Sequence, residues 1–175
     1  MVKTVKESPP SPREFHCLVN YKDKAIFACA GQYAPLTLNV EDLLLRSVVR
    51  YDPRANQWFT APDMIVARMG SSGCTLADSL YVFCGYNGAR VLESIEVLDV
   101  ALHFYRRTAK WNLVTPATIS LTACSCPAVA TFSDTEIVIL GGSGGAEKLI
   151  QTFDIASNTV SKKQVSNDDC WSPIN

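Results

Sequence analysis

Histidine is scarce in this chain. Only His16 and His103 occur in 175 residues, too few and too far apart to suggest a copper centre or a His-based catalytic set. No Cys-x-x-Cys pair is present, and the seven cysteines are an odd number, so neither a disulfide framework nor a zinc site is expected. Cys124 and Cys126 form the one close pair, and the histidines supply further ligands poorly. The thiols are read as reduced, structural groups, which fits a cytoplasmic compartment. No apolar run approaches membrane-spanning length. Met1 to Glu14 carries lysines and prolines without an apolar core, so neither a membrane partner nor a signal peptide is expected. The net charge of −1 shows no excess of either sign, and no nucleic-acid partner is expected. The glycine run Gly141 to Gly145 lacks the Gly-Lys-Ser/Thr ending of a phosphate loop. No catalytic set, metal or cofactor is expected.

What is present is enough apolar material for a core, 47% hydrophobic against 19% charged residues, arranged with a period. Leu80-Tyr81-Val82-Phe83-Cys84-Gly85 is an apolar strand running into glycine. Copies lie at Lys24 to Gly31 and Glu136 to Gly142, with the second glycine position at 31, 85 and 142. Hairpin-turn aspartates recur at Asp23, Asp78 and Asp134. An aromatic or apolar residue precedes aspartate at Tyr51-Asp52, Leu98-Asp99 and Phe153-Asp154. Trp58 and Trp111 stand 53 residues apart. A unit of roughly 50 residues built of short strands is the period of a propeller blade.

The pattern predicts an all-β fold of about three four-stranded antiparallel units over 12–62, 63–116 and 117–163. Flanking them are an N-terminal tail or remnant strand at 1–11 and a polar tail at 164–175. In the first unit the strands are placed at Phe15 to Tyr21, Lys24 to Cys29, Ser47 to Tyr51 and Gln57 to Phe59. In the second they fall at Gly70 to Leu76, Leu80 to Cys84, Glu93 to Leu98 and Trp111 to Leu113. In the third they fall at Ala128 to Phe132, Glu136 to Leu140, Leu149 to Phe153 and Thr159 to Ser161. The turn between the first two strands of unit two is set at Asp78-Ser79. Val100 to Lys110 reads as a long, solvated loop carrying the basic and aromatic residues His103, Phe104, Tyr105, Arg106 and Arg107.

These residues resemble the kelch repeat, whose marks are a diglycine after the second strand, then an aromatic, then a tryptophan. The diglycine positions read Ala30-Gly31, Cys84-Gly85 and Gly141-Gly142. The aromatic position reads Tyr51, Leu98 and Phe153, and the tryptophan position reads Trp58, Trp111 and Val160. Arg13 and Arg68, 55 residues apart, fit the arginine of the family's inter-unit link, with Ser125 as the third position. The resemblance covers roughly Pro12 to Lys163. WD40 repeats fit worse, because each tryptophan here is followed by Phe59, Asn112 or Ser172 rather than aspartate.

The resemblance implies a kelch-type β-propeller segment that serves as a protein-interaction module. Such modules act as substrate-recognising parts of ubiquitin ligases or as cytoskeleton-binding scaffolds. An enzyme acting on a sugar or redox substrate is an alternative within the same architecture, and a truncated product without independent function is another. Gly31, Gly85, Gly141, Gly142, Tyr51, Phe153, Trp58, Trp111, Arg13 and Arg68 are expected to be structural. His16 is read as a packing residue within a strand. Strand alternation puts the connections between second and third strands on one rim, where the family docks partners. The candidates there are Gln32, Tyr33, Tyr86, Asn87, Arg90, Ser143 and Lys148. The expected partner is another protein. Three blades do not close a ring, so self-association or complementary blades are also expected.

Overall fold

The computed structural model describes residues 12–33, 43–106 and 108–166. The tail or remnant strand expected at 1–11, most of the first unit's long connection, Arg107 and residues 167–175 lie outside them. The protein is nearly all β, a segment of a β-propeller built from four-stranded antiparallel sheets. Blade 1 comprises β2 (Cys17–Tyr21), β3 (Ala25–Cys29), β5 (Val48–Asp52) and β6 (Gln57–Ala61). Two-residue strands β1 (Arg13–Glu14) and β4 (Gln32–Tyr33) pair beside it. Blade 2 comprises β7 (Ser72–Leu76), β8 (Ser79–Phe83), β9 (Ile95–Asp99) and β10 (Trp111–Val114). Blade 3 comprises β11 (Ala128–Thr131), β12 (Glu136–Leu140), β13 (Leu149–Asp154) and β14 (Thr159–Gln164). Each blade is a simple meander in strand order.

Alternation along the strands sets the packing. In β2, Cys17, Val19 and Tyr21 are buried while Leu18 and Asn20 are exposed, as period-2 side-chain direction requires. The first hairpin turns on Lys22 and Asp23 (φ 46° and 53°) and the second on Ala77 and Asp78 (φ 48° and 62°). Two successive left-handed residues match the twist of paired strands. The second turn therefore sits one residue earlier than the sequence suggests. Cys84, expected to end β8, lies just past it.

The first strands of the blades stand side by side around one axis, with β2 and β11 both against β7. Thr75 Oγ1 donates to Asn20 O at 3.1 Å, and Thr131 Oγ1 donates to Thr75 O at 3.1 Å, the same contact one blade on. A backbone chain runs through equivalent positions, Gly70 N to Phe15 O at 2.9 Å and Cys126 N to Gly70 O at 2.7 Å. All three of these residues are left-handed (φ 51°, 60° and 56°).

Two apolar clusters join the blades. Phe27, Val48, Leu80, Val82, Leu98 and Trp111 belong to the cluster between blades 1 and 2. Phe83, Ile95, Ile137, Ile139, Phe153 and Val160 belong to the cluster between blades 2 and 3. Leu98–Trp111, Phe153–Val160 and Tyr51–Trp58 are directly opposed cross-strand pairs at equivalent positions. In blades 2 and 3 that pair packs on the preceding blade. In blade 1 the same face has no preceding blade among the described residues. Tyr51 and Trp58 are accordingly only half-buried, with ring centroids 5.2 Å apart.

One expectation fails. Val100 to Lys110 is not a solvated loop, because Val100–Arg106 forms a short helix, α1. Asp99 Oδ1 accepts from Leu102 N at 2.7 Å and so caps it. The equivalent aspartates in blades 1 and 3 close tight turns instead, Asp52 accepting from Arg54 and Ala55 and Asp154 from Ser157. The insertion in blade 2 gives the cap a helix to start. Phe104 stacks on Tyr21 at 5.8 Å and meets Phe27 edge-on at 6.5 Å, so the helix packs on blade 1.

Candidate partner-docking rim

The diglycine positions build the rim from which the second-to-third strand connections leave. Ala30, Cys84 and Gly141 are left-handed (φ 57°, 61° and 61°), while Gly31, Gly85 and Gly142 have φ of 96°, 99° and 96°. Non-glycine residues enter the first region at modest cost, but the second is glycine territory. A Cβ on the second glycine would also stand 2.6 Å from Glu14 O, 2.7 Å from Met69 O and 2.9 Å from Ser125 O, respectively. The degenerate diglycines are thus degenerate only where the backbone allows it. Gly31 N donates to Arg68 O at 2.8 Å and Gly85 N donates to Cys124 O at 2.9 Å, tying each blade to the next.

Those two acceptors correct the sequence alignment. The third counterpart of Arg13 and Arg68 is Cys124, not Ser125. Arg13 donates from Nη1 to the carbonyls of Ala28, Ala30 and Ser47 at 3.3, 3.1 and 2.8 Å. Arg68 is fully buried, donates to Cys84 O at 2.8 Å and pairs with the equally buried Glu96. Glu96 also accepts from Ile65 N at 2.7 Å and Val66 N at 3.1 Å. Burial holds the Arg68 guanidinium below its usual pKa, and Glu96 counters that shift. In blade 3 the arginine is Cys124 and the glutamate is Gln151. Gln151 Oε1 accepts from Thr122 N at 2.6 Å and Nε2 donates to Thr122 O at 3.3 Å. The same brace is charged in blade 2 and neutral in blade 3. Glu96 and Gln151 escaped the sequence reading. Their equivalent distance before Asp99 and Asp154 is the signal that would have found them.

The structure places three of the candidate rim residues at one repeated position. Gln32 bridges to Glu14, Tyr86 to Met69 and Ser143 to Ser125. Their backbones brace the rim, and Tyr33 lies beside them, paired with Arg13. Tyr86 to Val91 is a tight loop in which Asn87 Oδ1 accepts from Ala89 N at 3.1 Å and Arg90 N at 2.8 Å, and the Tyr86 hydroxyl donates to Gly88 O. Arg90, Ser143 and Lys148 are exposed, and the Lys148 carbonyl accepts from Val165 N at 2.8 Å. Gly144 approaches Val91 closely, bringing the loops of blades 2 and 3 together. The amides of Gly144 and Gly145 are capped by Glu147 Oε1 at 3.0 and 3.2 Å. Amide donors, its own among them, lower the pKa of that carboxyl. The glycine run therefore cradles an internal carboxylate.

Where the first strands begin, a depression of about 350 Å³ is lined by His16, Ser71, Ser72, Pro127 and neighbours. His16, Ser71 and Pro127 occupy equivalent positions, 55 and 56 residues apart. His16 therefore stands at the mouth of the axis, before β2, rather than within a strand. Its pKa is lowered, first by burial and then by the nearby Arg13. His16 Nδ1 and Ser71 Oγ are buried without a hydrogen-bond partner among the described residues. Among the described residues no cluster of His, Cys, Asp or Glu is built to hold a metal ion.

No protein-family model matches the chain. A stretch of 66 residues is 33% identical to Kelch-like protein 4 of Homo sapiens, covering 38% of this chain and 9% of that protein. Together with the four-stranded antiparallel sheets, this similarity is consistent with kelch-like repeats.

Proposed function

We propose that this protein is a kelch-type interaction module. It would dock a partner protein on the rim where Tyr86–Val91 and Ser143–Lys148 meet the axis mouth. The observation that carries the reading is the meeting of those two loops, where Gly144 closes on Val91 beside the depression at the axis mouth. The exposed Arg90, Ser143 and Lys148 on those loops would supply the contacts to the partner. The similarity to a Kelch-like protein supports a protein partner and a non-enzymatic role. Within that reading, the module serves as the substrate-recognising part of a ubiquitin ligase or as a cytoskeletal scaffold in the cytoplasm. Co-purification with a cullin-type scaffold separates the first from co-sedimentation with filaments.

The open sheet faces support a further partner. Leu18 and Ile26 are 60% and 38% exposed on the face of blade 1 turned away from blade 2, and Leu140 is 44% exposed on the far face of blade 3. We assign these faces to complementary blades, from a second copy or a longer chain.

Site-specific photocrosslinking tests the rim. A benzoylphenylalanine at Asn87 or Ser143 should yield discrete adducts in cells that Arg90→Glu weakens. The same group at Arg54 or Asp134, in the turns of the opposite rim, should yield none. Adducts confined to Arg54 and Asp134, or absent from every position, would overturn the assignment.

A further inference from the structure

We propose that a second copy of this chain closes the propeller, with the outer face of blade 3 in each copy packed on the outer face of blade 1 in the other. The inference rests on the assignment of the open faces to complementary blades, not on the rim reading, and commits that assignment to one occupant. Its first support is what the same positions do inside the chain. Strand register makes Ile26, Leu80 and Ile137 equivalent, opposite Asn20, Thr75 and Thr131. Leu80 and Ile137 are fully buried at the junction with the preceding blade, while Ile26 is 38% exposed. Cys29, Phe83 and Leu140 are equivalent on the other face. The first two are fully buried and Leu140 is 44% exposed. Tyr21 and Leu76 end β2 and β7 and are buried, while Phe132 at their position is 74% exposed. Each position loses its cover only where a neighbouring blade is missing among the described residues.

The hydrogen bonds repeat the pattern. Gly31 N and Gly85 N donate to the next blade, whereas Gly142 N, their equivalent, has no acceptor among the described residues. Gly70 N and Cys126 N donate to the preceding blade, whereas Phe15 N, their equivalent, has none among the described residues. In the closed ring Gly142 N would donate to Arg13 O of the second copy, and Phe15 N to Cys126 O of the second copy.

Side-chain size points to a copy of this chain rather than to an arbitrary blade. At the junction of blades 1 and 2, a Cβ on Gly73 would stand 3.1 Å from Cys17 Sγ and 3.2 Å from Val19 Cγ2. Blade 1 carries Leu18 at the Gly73 position, and it is 60% exposed. Blade 3 carries Ala128 and Ala130 at the positions of Cys17 and Val19, and both are exposed. The bulky residue of one end therefore meets the small pair of the other. Head-to-tail contacts close a ring when the rotation fits. Propellers close with roughly four to eight blades. Each chain supplies three blades, so two copies fall inside that range and one or three do not.

Sedimentation of the full chain at micromolar concentration tests the proposal, with an expected mass of twice 19.1 kDa. Leu140→Arg and Ile26→Arg should each raise the dissociation constant about tenfold or more, with unchanged circular dichroism. A crosslink tests the pairing without removing an apolar contact. The Cys74 thiol meets the Thr131 side chain across the junction of blades 2 and 3, and Ala130 and Asn20 hold the equivalent positions at the proposed one. A mixture of Asn20→Cys and Ala130→Cys chains, oxidised with glutathione disulfide, should give a covalent dimer that neither variant gives alone. A monomer throughout the micromolar range, or a dimer in which each variant crosslinks only to itself, would overturn the proposal. A monomer that binds anilinonaphthalenesulfonate would have open faces, leaving the broader assignment to complementary blades standing. A monomer that binds none would have covered its own faces, and both would fall.

Discussion

Replacing Arg68 by cysteine and Glu96 by glutamine would give blade 2 the neutral brace that blade 3 carries at Cys124 and Gln151. The two single variants each strand a buried group. Arg68→Cys leaves the Glu96 carboxylate fully buried, with only the Ile65 and Val66 amides as donors. Glu96→Gln leaves the guanidinium charge buried without a counter-charge, held by Cys84 O and at most a neutral amide oxygen. Breaking a buried pair from one side costs about 3–5 kcal/mol. The double variant removes both charges. The new glutamine can still accept from the Ile65 or Val66 amide, as Gln151 accepts from Thr122. Its remaining cost is the space vacated by the long arginine, about 1–3 kcal/mol. The cycle therefore predicts a favourable coupling of roughly 2 kcal/mol or more between the two positions. Urea denaturation of the four proteins, read as midpoints at constant slope, measures it. Single-variant losses that simply add in the double variant would refute the reasoning. They would show that the brace acts through its backbone hydrogen bonds alone.

The two positions of the diglycine should respond differently. Gly142→Val should cost about 3 kcal/mol or more, because φ there is 96° and a Cβ would meet Ser125 O at 2.9 Å. Cys84→Gly should stay within about 1 kcal/mol, and equal denaturation midpoints for the two would contradict the assignment. Trp111 is 4% exposed and donates from Nε1 to Pro62 O at 2.8 Å. Trp111→Ala should then cost about 3–5 kcal/mol, and efficient iodide quenching of native Trp111 fluorescence, resolved in a Trp58→Phe, Trp171→Phe background, would count against its burial. His16 gives a pH test. Its folded pKa lies below the unfolded value of about 6.5, so the unfolded chain binds more protons in that window. Stability from this residue should rise with pH through the window and level off above it. The thermal-midpoint profile of His16→Gln should lack that rise, and superimposable profiles would refute the shift.

The period, the glycines and the cross-strand pairs were legible because each is a local demand that repeats. A φ near 96° admits little but glycine, and a hairpin turn needs residues tolerant of left-handed backbone. What was not legible depends on neighbours. Val100 to Arg106 carries no acidic residue in its first turn and is only seven residues long, so no helical period shows. It is held by Asp99 and by docking Phe104 on Tyr21 and Phe27, contacts made across blades. The third brace position falls at Cys124 rather than Ser125, and no charged residue marks it, because Gln151 braces Thr122 there without charge. His16 was read as a packing residue within a strand. The strand begins one residue later, and the bridge between Glu14 and Gln32 sets that boundary from outside it. Tyr51 and Trp58 carry the aromatic signal of a blade junction, yet the described blades leave their face without a preceding one.

The rim exists only if the three blades act as one arc, and amide hydrogen exchange tests that most directly. The amides of Gly31, Gly85, Gly70 and Cys126 have no partner inside a ladder. Each donates across a blade boundary, to Arg68 O, Cys124 O, Phe15 O and Gly70 O. The account predicts that all four exchange as slowly as core ladder amides such as Val82 and Ile139, with the same dependence on denaturant. Exchange of these four at loop rates, while the ladder amides of each blade stay protected, would contradict it and show three sheets that open independently.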